Sequence, residues 1–354
     1  MPEEPEIQCA RRGAVGHILL NRPAALNAVT LTMVRAISRA LDAWENDPAI
    51  ACVVVEAAGD RAFSAGGDIR HLYEQGKAGD HEGQLAFWRE EYILNHRIKT
   101  YPKPYVALID GIVMGGGVGV SIHGSHRVAG DRFAFAMPEV GIGFFPDVGA
   151  TYFLPRLLGE IGTYLALTGA RAKAGDGVAL GLASHYLPSA EFGALSEALS
   201  DTGDVGGVLQ RLGKPAPPSA LLTHRDLIDR CFGAETVAEI VSRLDREGGD
   251  FARDAANTIR AKSPTSLAIA RRQMAVGASL DMAEAMRTEF RIVSRVCRGT
   301  EFLEGIRATI IDKDMRPRWS PSRVEDVTEQ AVDGFFAPLG EAELDVTSAA
   351  QPGR

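Results

Sequence analysis

The feature that most constrains this fold is a series of short, almost wholly apolar segments, each ending near a glycine cluster. Segments 52–56 and 105–109 are rich in Val, Ile and other strand formers, and a helix-like pattern follows each. Apolar strands that alternate with helices are typical of a parallel sheet covered on both faces. Segment 15–21 predicts a further strand, and apolar residues spaced three and four apart within 34–44 predict a helix after it. The sequence therefore predicts an α/β fold.

Length and glycine content divide the chain into regions. At about 100–200 residues per domain, 354 residues predict two domains, or one domain with an appendage. Glycine and proline cluster at 203–219 and indicate a linker, beyond which helical periodicity dominates. We predict a core at 1–200, a helical region at 201–338 and a flexible tail at 339–354.

The composition excludes several classes of function. Lys and Arg total 38 against 46 Asp and Glu, and no basic run supplies the electrostatic attraction that drives nucleic-acid binding. No run of about 18 apolar residues indicates a membrane span. The acidic start differs from a secretory signal, and the four dispersed cysteines indicate neither a zinc knuckle nor a disulfide framework. We therefore expect a cytoplasmic protein.

Motifs for common cofactors and metals are also missing from the sequence. The chain contains no P-loop and no GxGxxG dinucleotide fingerprint. The residues around Ser121 depart from the GxSxG nucleophile elbow. His123 and His126 have no neighbouring acid or cysteine to complete a metal site, so a structural role is favoured. We expect no metal and no cofactor.

Two glycine-rich junctions each follow a predicted strand and precede a helical pattern. They are Ala65-Gly66-Gly67-Asp68-Ile69 and Gly115-Gly116-Gly117. Glycine lets a ligand approach the backbone closely, and the start of a helix leaves N–H groups unpaired. Two such groups can together stabilise one developing oxyanion. Taken singly, each junction is better explained as a tight turn, which is what glycine usually serves.

Three acids stand in apolar surroundings that raise a carboxyl pKa. Glu139 and Asp147 lie eight residues apart in a segment rich in Gly, Phe and Pro. Glu91 falls on an apolar helical stripe, whereas Glu90 points about 100° away from it. Such acids can divide general acid and base duties. The structural alternatives are that Glu139 pairs with Arg156, that Asp147 serves a turn, and that Glu91 forms an internal ion pair.

In combination, these motifs resemble the crotonase (enoyl-CoA hydratase/isomerase) superfamily over roughly residues 12–325. The stretches that carry the resemblance, in this order and spacing, are 20–28, 63–69, 89–92, 103–107, 111–119, 137–149, 153–157, 263–267, 301–308 and 311–314. The resemblance implies a spiral of ββα units, a helical C-terminal region that completes the site, and an acyl-CoA thioester as substrate.

The resemblance also implies roles for individual residues. The oxyanion hole would be formed by the backbone N–H groups of Gly67 and Gly116, with Gly115 beside them. Because CoA is part of the substrate, no separate cofactor is implied. Arg22 is a candidate cation for the CoA phosphates, although Ala24 stands where family members carry Lys. The residues expected to contact CoA are Ala25, Leu26, Ala65, Gly66, Asp68 and Ile69.

The acids decide which branch of the family the chain resembles. Typical hydratases carry two glutamates, one matching Glu139 and one at the position of Gly119, which has no side chain here. The set of Glu91, Glu139 and Asp147 resembles the 3-hydroxyisobutyryl-CoA hydrolase branch of valine breakdown. Glu139 would act as nucleophile or base. Asp147 would position the substrate hydroxyl or share the proton relay, and Glu91 would line the pocket.

Two alternative functions stay open at this stage. An enoyl-CoA isomerase or hydratase needs at least one base, which Glu139 can supply. A non-catalytic acyl-CoA binding protein is the third reading, although a pure binder has no need for clustered acids. Relatives often form trimers through their C-terminal helices, so a homo-oligomer is a further expectation.

Overall fold

The computed structural model describes residues 5–347. Ten strands are present in this part of the chain: β1 Ile7–Arg12, β2 Val15–Leu20, β3 Cys52–Ala57, β4 Ala62–Ser64, β5 Tyr105–Ile109, β6 Ile112–Met114, β7 His126–Ala129, β8 Ala134–Ala136, β9 Ala172–Lys173 and β10 His185–Tyr186. The helices are α1 Leu31–Glu45, α2 Ile69–Ala78, α3 His81–Thr100, α4 Gly116–Gly119, α5 Ala150–Phe153, α6 Ile161–Thr168, α7 Ala174–Ala179, α8 Phe192–Thr202, α9 Val205–Leu212, α10 Arg225–Phe232, α11 Val237–Glu247, α12 Gly249–Arg260, α13 Pro264–Gly277, α14 Met282–Val296, α15 Thr300–Ile306 and α16 Glu329–Phe336.

The larger sheet has six strands in the order β1-β2-β3-β5-β7-β10. β1 and β2 form an antiparallel hairpin, and the remaining neighbours are parallel. Both faces of this sheet are covered because side chains along a strand alternate between them. Val53 and Val55 face the main core, whereas Cys52 and Val54 pack with α8 and α9 on the other side. This explains why these strands are apolar throughout.

The smaller sheet positions the site. Its order is β4-β6-β8-β9, and β4, β6 and β8 run parallel. Each of these strands is the second member of a ββ pair whose first member lies in the larger sheet. Parallel strands end at one common edge, which is where ligands bind in open α/β sheets. The segments after β4, β6 and β8 therefore meet there: Ala65–Gly67, Gly115–Gly116 and Met137–Glu139.

The helical C-terminal part closes over this edge. Helix α14 packs along α3, and α15 packs on the 3₁₀ turn Glu139–Ile142. Gly305 makes that approach possible, because a methyl group built on it would lie 2.2 Å from the carbonyl carbon of Ile142. A side chain there would push α15 off the turn that carries Glu139.

The α/β fold with paired ββ units agrees with the fold expected from the sequence, and the division at residue 200 stays a prediction. Part of the segment expected to be a flexible tail is packed instead. Leu344 and Val346 are buried, and Glu343 bonds to Arg291 at 2.9 Å, so apolar contact and an ion pair fix this segment as far as residue 347. Residues 348–354 lie outside the described part. Among the described helices, none combines the length and apolar character required to cross a bilayer.

Two helical glycines provide a matched test of this packing. Gly305→Ala should destabilise the protein by about 1–3 kcal/mol, the usual cost of overpacking. Gly334→Ala in α16 should be neutral, or stabilising by up to about 1 kcal/mol, because no atom lies within 4 Å of the added methyl. Urea unfolding of both variants measures the difference. Equal stabilities would contradict the tight contact at Gly305.

Candidate active site

One cavity of about 370 Å³ opens at the common edge of the smaller sheet. Nine of the residues predicted for the site line it: Ala65, Gly66, Gly67, Ile69, Glu91, Gly115, Gly116, Glu139 and Asp147. The rest of its wall comes from Phe87, Trp88, Met114, Pro138, Gly141, Ile142, Phe144, Lys262, Thr309, Ile310 and Met315. The structure therefore brings together residues from all three junctions, from α3 and from the C-terminal region.

The two glycine junctions lie against each other in the wall of the cavity. A methyl group built on Gly116 would lie 3.3 Å from the amide nitrogen of Gly67 and 2.6 Å from Glu91 Oε1. One built on Gly115 would lie 3.5 Å from Glu139 Oε1, and Gly115 itself has φ +42°. A side chain on Gly116 would displace the Glu91 carboxyl group, whereas Gly115 favours glycine because of its positive φ. The junctions thus hold backbone groups and two acids within reach of one small ligand atom.

Helix α3 turns Glu91 inward, as helix geometry predicts. Glu91 is 1 % exposed, whereas its neighbour Glu90 is bound outside by the Arg35 guanidinium at 2.6 and 2.8 Å. Glu91 Oε1 is buried and has no hydrogen-bond partner within residues 5–347. The internal ion pair considered for Glu91 is therefore absent at this oxygen.

Glu139 is the second acid with an unused oxygen. It begins the 3₁₀ turn after β8 and is 6 % exposed, and its Oε2 lacks a hydrogen-bond partner in the described part of the chain. The alternative pairing with Arg156 does not occur, because that guanidinium donates to the carbonyl groups of Gly277 and Leu280. A buried carboxyl oxygen without a partner is costly, which favours a role toward a ligand.

Asp147 reaches the same cavity from the loop before α5. Its Oδ2 accepts a hydrogen bond from the Tyr92 hydroxyl at 2.8 Å, and the residue is 5 % exposed. Burial raises the pKa of Asp147 to about 7, while the bond from Tyr92 opposes that rise. Asp147 therefore exchanges its proton near neutral pH.

Glu289 is a fourth buried acid, which the sequence analysis missed. Its two carboxyl oxygens accept from the backbone N–H groups of Gly149 and Thr151 at 2.8 and 2.9 Å, so it fixes the loop that carries Asp147. Burial, with a further contribution from Asp147, raises the pKa of Glu289 to about 8. The available signal was its place on the apolar stripe of α14, the same pattern that identified Glu91.

The four carboxyl groups affect each other because they share one desolvated region. Burial is the main cause that raises the pKa values of Glu91 and Glu139 well above their usual range, and the charges of Asp147 and Glu289 raise them further. Aromatic rings complete the desolvation, with Trp88 and Phe144 stacked 5.4 Å apart in the wall. Such a cluster retains protons at neutral pH.

Three residues predicted to contact CoA do not line the cavity. Ala25 and Leu26 belong to a 3₁₀ turn beside it, where Leu26 accepts a hydrogen bond from the Ala65 N–H at 2.9 Å. Asp68 caps α2 and bonds to Arg22 at 3.0 Å. Arg22 also pairs with Glu6, so this cation is already neutralised. CoA contact by these residues stays a prediction.

The space beside Gly119 is occupied by the side-chain amide of Asn95. A methyl group built on Gly119 would lie 2.7 Å from Asn95 Nδ2 and 3.0 Å from Val148 Cβ. A glutamate at this position, as typical hydratases have, would collide with both. His123 also has a structural role, because its ring Nε2 lies 2.7 Å from the Val148 carbonyl oxygen and burial lowers the pKa of the ring to about 4.

Raising the pH from about 5 to 8 should destabilise the protein. The unfolded chain releases the Asp147 proton near 3.8 and the folded chain near 7, so the folded state binds more protons between these values. Each pKa unit corresponds to about 1.4 kcal/mol, so the two units between pH 5 and the folded pKa near 7 account for about 3 kcal/mol. Asp147→Asn should flatten this fall in urea unfolding. An equally steep fall in the variant would contradict the raised pKa.

Comparison with known proteins places this site in a family. The Enoyl-CoA hydratase/isomerase family model matches residues 15–336. A 3-hydroxyisobutyryl-CoA hydrolase, mitochondrial, from Rattus norvegicus is 45% identical, covering 97% of this chain and 91% of its own length. Its counterpart from Danio rerio is 46% identical, with 96% and 91% covered. A crystal structure described as a carnitinyl-CoA dehydratase from Mycobacterium thermoresistibile is 39% identical with TM-score 0.93, covering 97% of this chain and 99% of its own.

The expectation of a cytoplasmic location is contradicted by these comparisons. The rat and zebrafish relatives are both named mitochondrial. The expectation rested on the absence of a recognisable signal, and such an absence does not define a compartment.

The remaining comparisons agree with the sequence analysis. The fold expected from the resemblance is confirmed by the solved structure, which superposes over nearly the whole chain. The same family is reached independently by the family match and by the two curated relatives. The chain belongs to the enoyl-CoA hydratase/isomerase family.

Proposed function

We propose that this chain is an enzyme that hydrolyses the thioester of 3-hydroxyisobutyryl-CoA to CoA and 3-hydroxyisobutyrate. The observation that carries the proposal is the position of Glu139, which lines the cavity together with the two glycine junctions and has a buried carboxyl oxygen without a hydrogen-bond partner in the described residues. The names of the rat and zebrafish relatives agree with this reaction.

The thioester oxygen would bind between the amide groups of Gly67 and Gly116. When a nucleophile adds to the carbonyl carbon, negative charge moves to that oxygen, and preorganised N–H donors stabilise it. Loss of one such donor typically costs about 3–4 kcal/mol in the barrier. In a poorly solvated site, such dipoles act more strongly than in water.

Glu139 can start the reaction by either of two routes. As nucleophile, its carboxylate attacks the carbonyl carbon, CoA leaves as thiolate and takes a proton, and water then hydrolyses the mixed anhydride. As base, it takes a proton from a water molecule that attacks directly, and the same thiolate leaves. Asp147, with its pKa near 7, suits either proton transfer to the departing sulfur or a hydrogen bond with the substrate hydroxyl.

Hydration of an enoyl-CoA is the competing function, and a related crystal structure carries a dehydratase title. That chemistry normally uses a second acid at the position of Gly119. Here the adjoining space is filled by Asn95 and Val148. Any second acid must instead come from Glu91, Asp147 or Glu289. A non-catalytic binder is disfavoured because buried acids without partners reduce stability and serve no purpose in binding alone.

The proposed chemistry calls for no cofactor, since the acids and backbone amides come from this chain and CoA is part of the substrate. A homo-oligomer formed through the helical C-terminal region stays a prediction.

Thiol release from 3-hydroxyisobutyryl-CoA, measured beside hydration of crotonyl-CoA on one preparation, separates the two reactions. We expect thiol release without appreciable hydration. Hydration or isomerisation without thiol release would overturn the proposal.

Glu139→Gln should lower kcat for thiol release by about 10²–10⁴-fold, because the amide can neither attack nor accept the proton. The KM should change only a few-fold, since the side chain keeps its size. Glu90→Gln is the matched control: it removes one carboxylate outside the cavity, where Glu90 is bound by Arg35. Full activity in Glu139→Gln would exclude the mechanism.

Asp147 should determine the preference for a hydroxylated acyl group. A buried hydrogen-bonding group left unpaired can reject the analogue that lacks its partner by up to about 10⁴-fold. The wild-type enzyme should therefore favour 3-hydroxyisobutyryl-CoA over isobutyryl-CoA in kcat/KM, and Asp147→Asn should reduce that ratio. An unchanged ratio would show that the hydroxyl is recognised elsewhere.

A further inference from the structure

We propose that Lys262 is an anion-binding residue at the rim of the cavity, where its ammonium group recognises a phosphate of the CoA moiety. The inference rests on the proposed function and names a contact that brings the anionic part of the substrate to this site.

The backbone fixes Lys262 next to the turn that carries Glu139. Its N–H donates to the Ile259 carbonyl at 3.0 Å, and the N–H of Ser263 donates to the Val140 carbonyl at 3.1 Å. A methyl group built on Gly141 would lie 3.1 Å from Lys262 Nζ. The ammonium group therefore lies against the outer part of the Glu139–Ile142 turn.

Lys262 is the one Lys or Arg among the residues that line the cavity. Its Nζ has neither a hydrogen-bond partner nor an ion-pair partner within residues 5–347, and partial burial lowers the pKa of the amine. A half-buried cation without a partner has an unfavourable desolvation energy. That energy is recovered when an anion binds.

Two arginines near the cavity, Arg22 and Arg307, are already neutralised. Arg22 is held by Asp68 and Glu6, and Arg307 is held by Glu304 together with two aspartates. An incoming phosphate would have to break these pairs, whereas Lys262 is free to bind.

The charges in the cavity also indicate the direction in which the substrate binds. The three acids that line the cavity, Glu91, Glu139 and Asp147, are buried, whereas Lys262 lies in the wall with Thr309 and the 67 % exposed Met315. The hydroxyacyl group is uncharged and suits the acidic part of the wall. The phosphates are the anionic groups of the substrate and suit the rim. The carboxylate of the product is the alternative source of anionic oxygen.

Calorimetric binding of free CoA, 4′-phosphopantetheine and pantetheine tests the proposal without turnover. Lys262→Gln should weaken CoA and phosphopantetheine binding about 10-fold, or about 1.4 kcal/mol, and leave pantetheine binding unchanged. Lys262→Arg should retain most of the affinity. Added salt should narrow the difference in CoA affinity between the wild type and Lys262→Gln, because salt screens exposed charges. The control is Lys214→Gln, which removes the same charge from an exposed lysine that does not line this cavity. This variant should bind CoA with wild-type affinity.

Unchanged CoA affinity in Lys262→Gln, or an equal loss for pantetheine, would overturn the phosphate contact. So would a variant in which only inhibition by 3-hydroxyisobutyrate is weakened, since the carboxylate of the product would then be the anion bound. A loss of affinity in Lys262→Gln that is confined to CoA and 4′-phosphopantetheine supports the phosphate contact, even in a preparation that releases no thiol. Failure of the hydrolase proposal is thereby distinguished from failure of this one.

Discussion

The site depends on the burial of four carboxyl groups, three of which line one cavity. Burial raises the pKa of each acid, and the charges of Asp147 and Glu289 raise the pKa values of Glu91 and Glu139 further, because like charges in a poorly solvated region cannot all ionise together. Among the four acids, Glu289 both supports the fold and affects the pKa values of two of the other acids. Its bonds to the Gly149 and Thr151 amides keep the Asp147 loop in place, while its charge adds to the field around Glu91 and Glu139. Removing its carboxyl group would alter both the geometry and the proton affinity of the site.

The architecture explains why residues from distant segments share this cavity. Three adjacent parallel strands end at one edge, which brings the two glycine junctions and the Glu139 turn together. The acids on α3 and α14 then approach from the side, and α15 seals the turn through the close contact at Gly305. The catalytic groups are thus supported by rigid elements, and the helical region contributes directly to the site.

Much of the site was predictable from local sequence patterns. Apolar runs indicated β3 and β5, and helical spacing distinguished Glu91 from Glu90. Burial explains both successes, because a residue that faces the core must follow the period of its element. Glu289 was missed because nothing in the sequence shows that α14 lies against α3. Lys262 and Asn95 were not predicted for the same reason. Lys262 matters because it packs against Gly141, and Asn95 because it packs against Gly119, and neither contact can be read from the sequence. The tail was misjudged because an irregular segment can still pack, as Leu344 and Val346 do.

The central claim is that the acid cluster keeps part of its protons at neutral pH, so that one acid can donate a proton while Glu139 acts as a carboxylate. A pH titration of the side-chain carboxyl carbons, with ¹³C-labelled Asp and Glu and the Asp147→Asn variant for assignment, tests it most directly. The account predicts that the Asp147 resonance titrates near 7 and the Glu289 resonance near 8, well apart from the surface acids near 4. Titration of every carboxyl resonance below about 5 would contradict it, because the cluster would then carry four charges and no proton to donate.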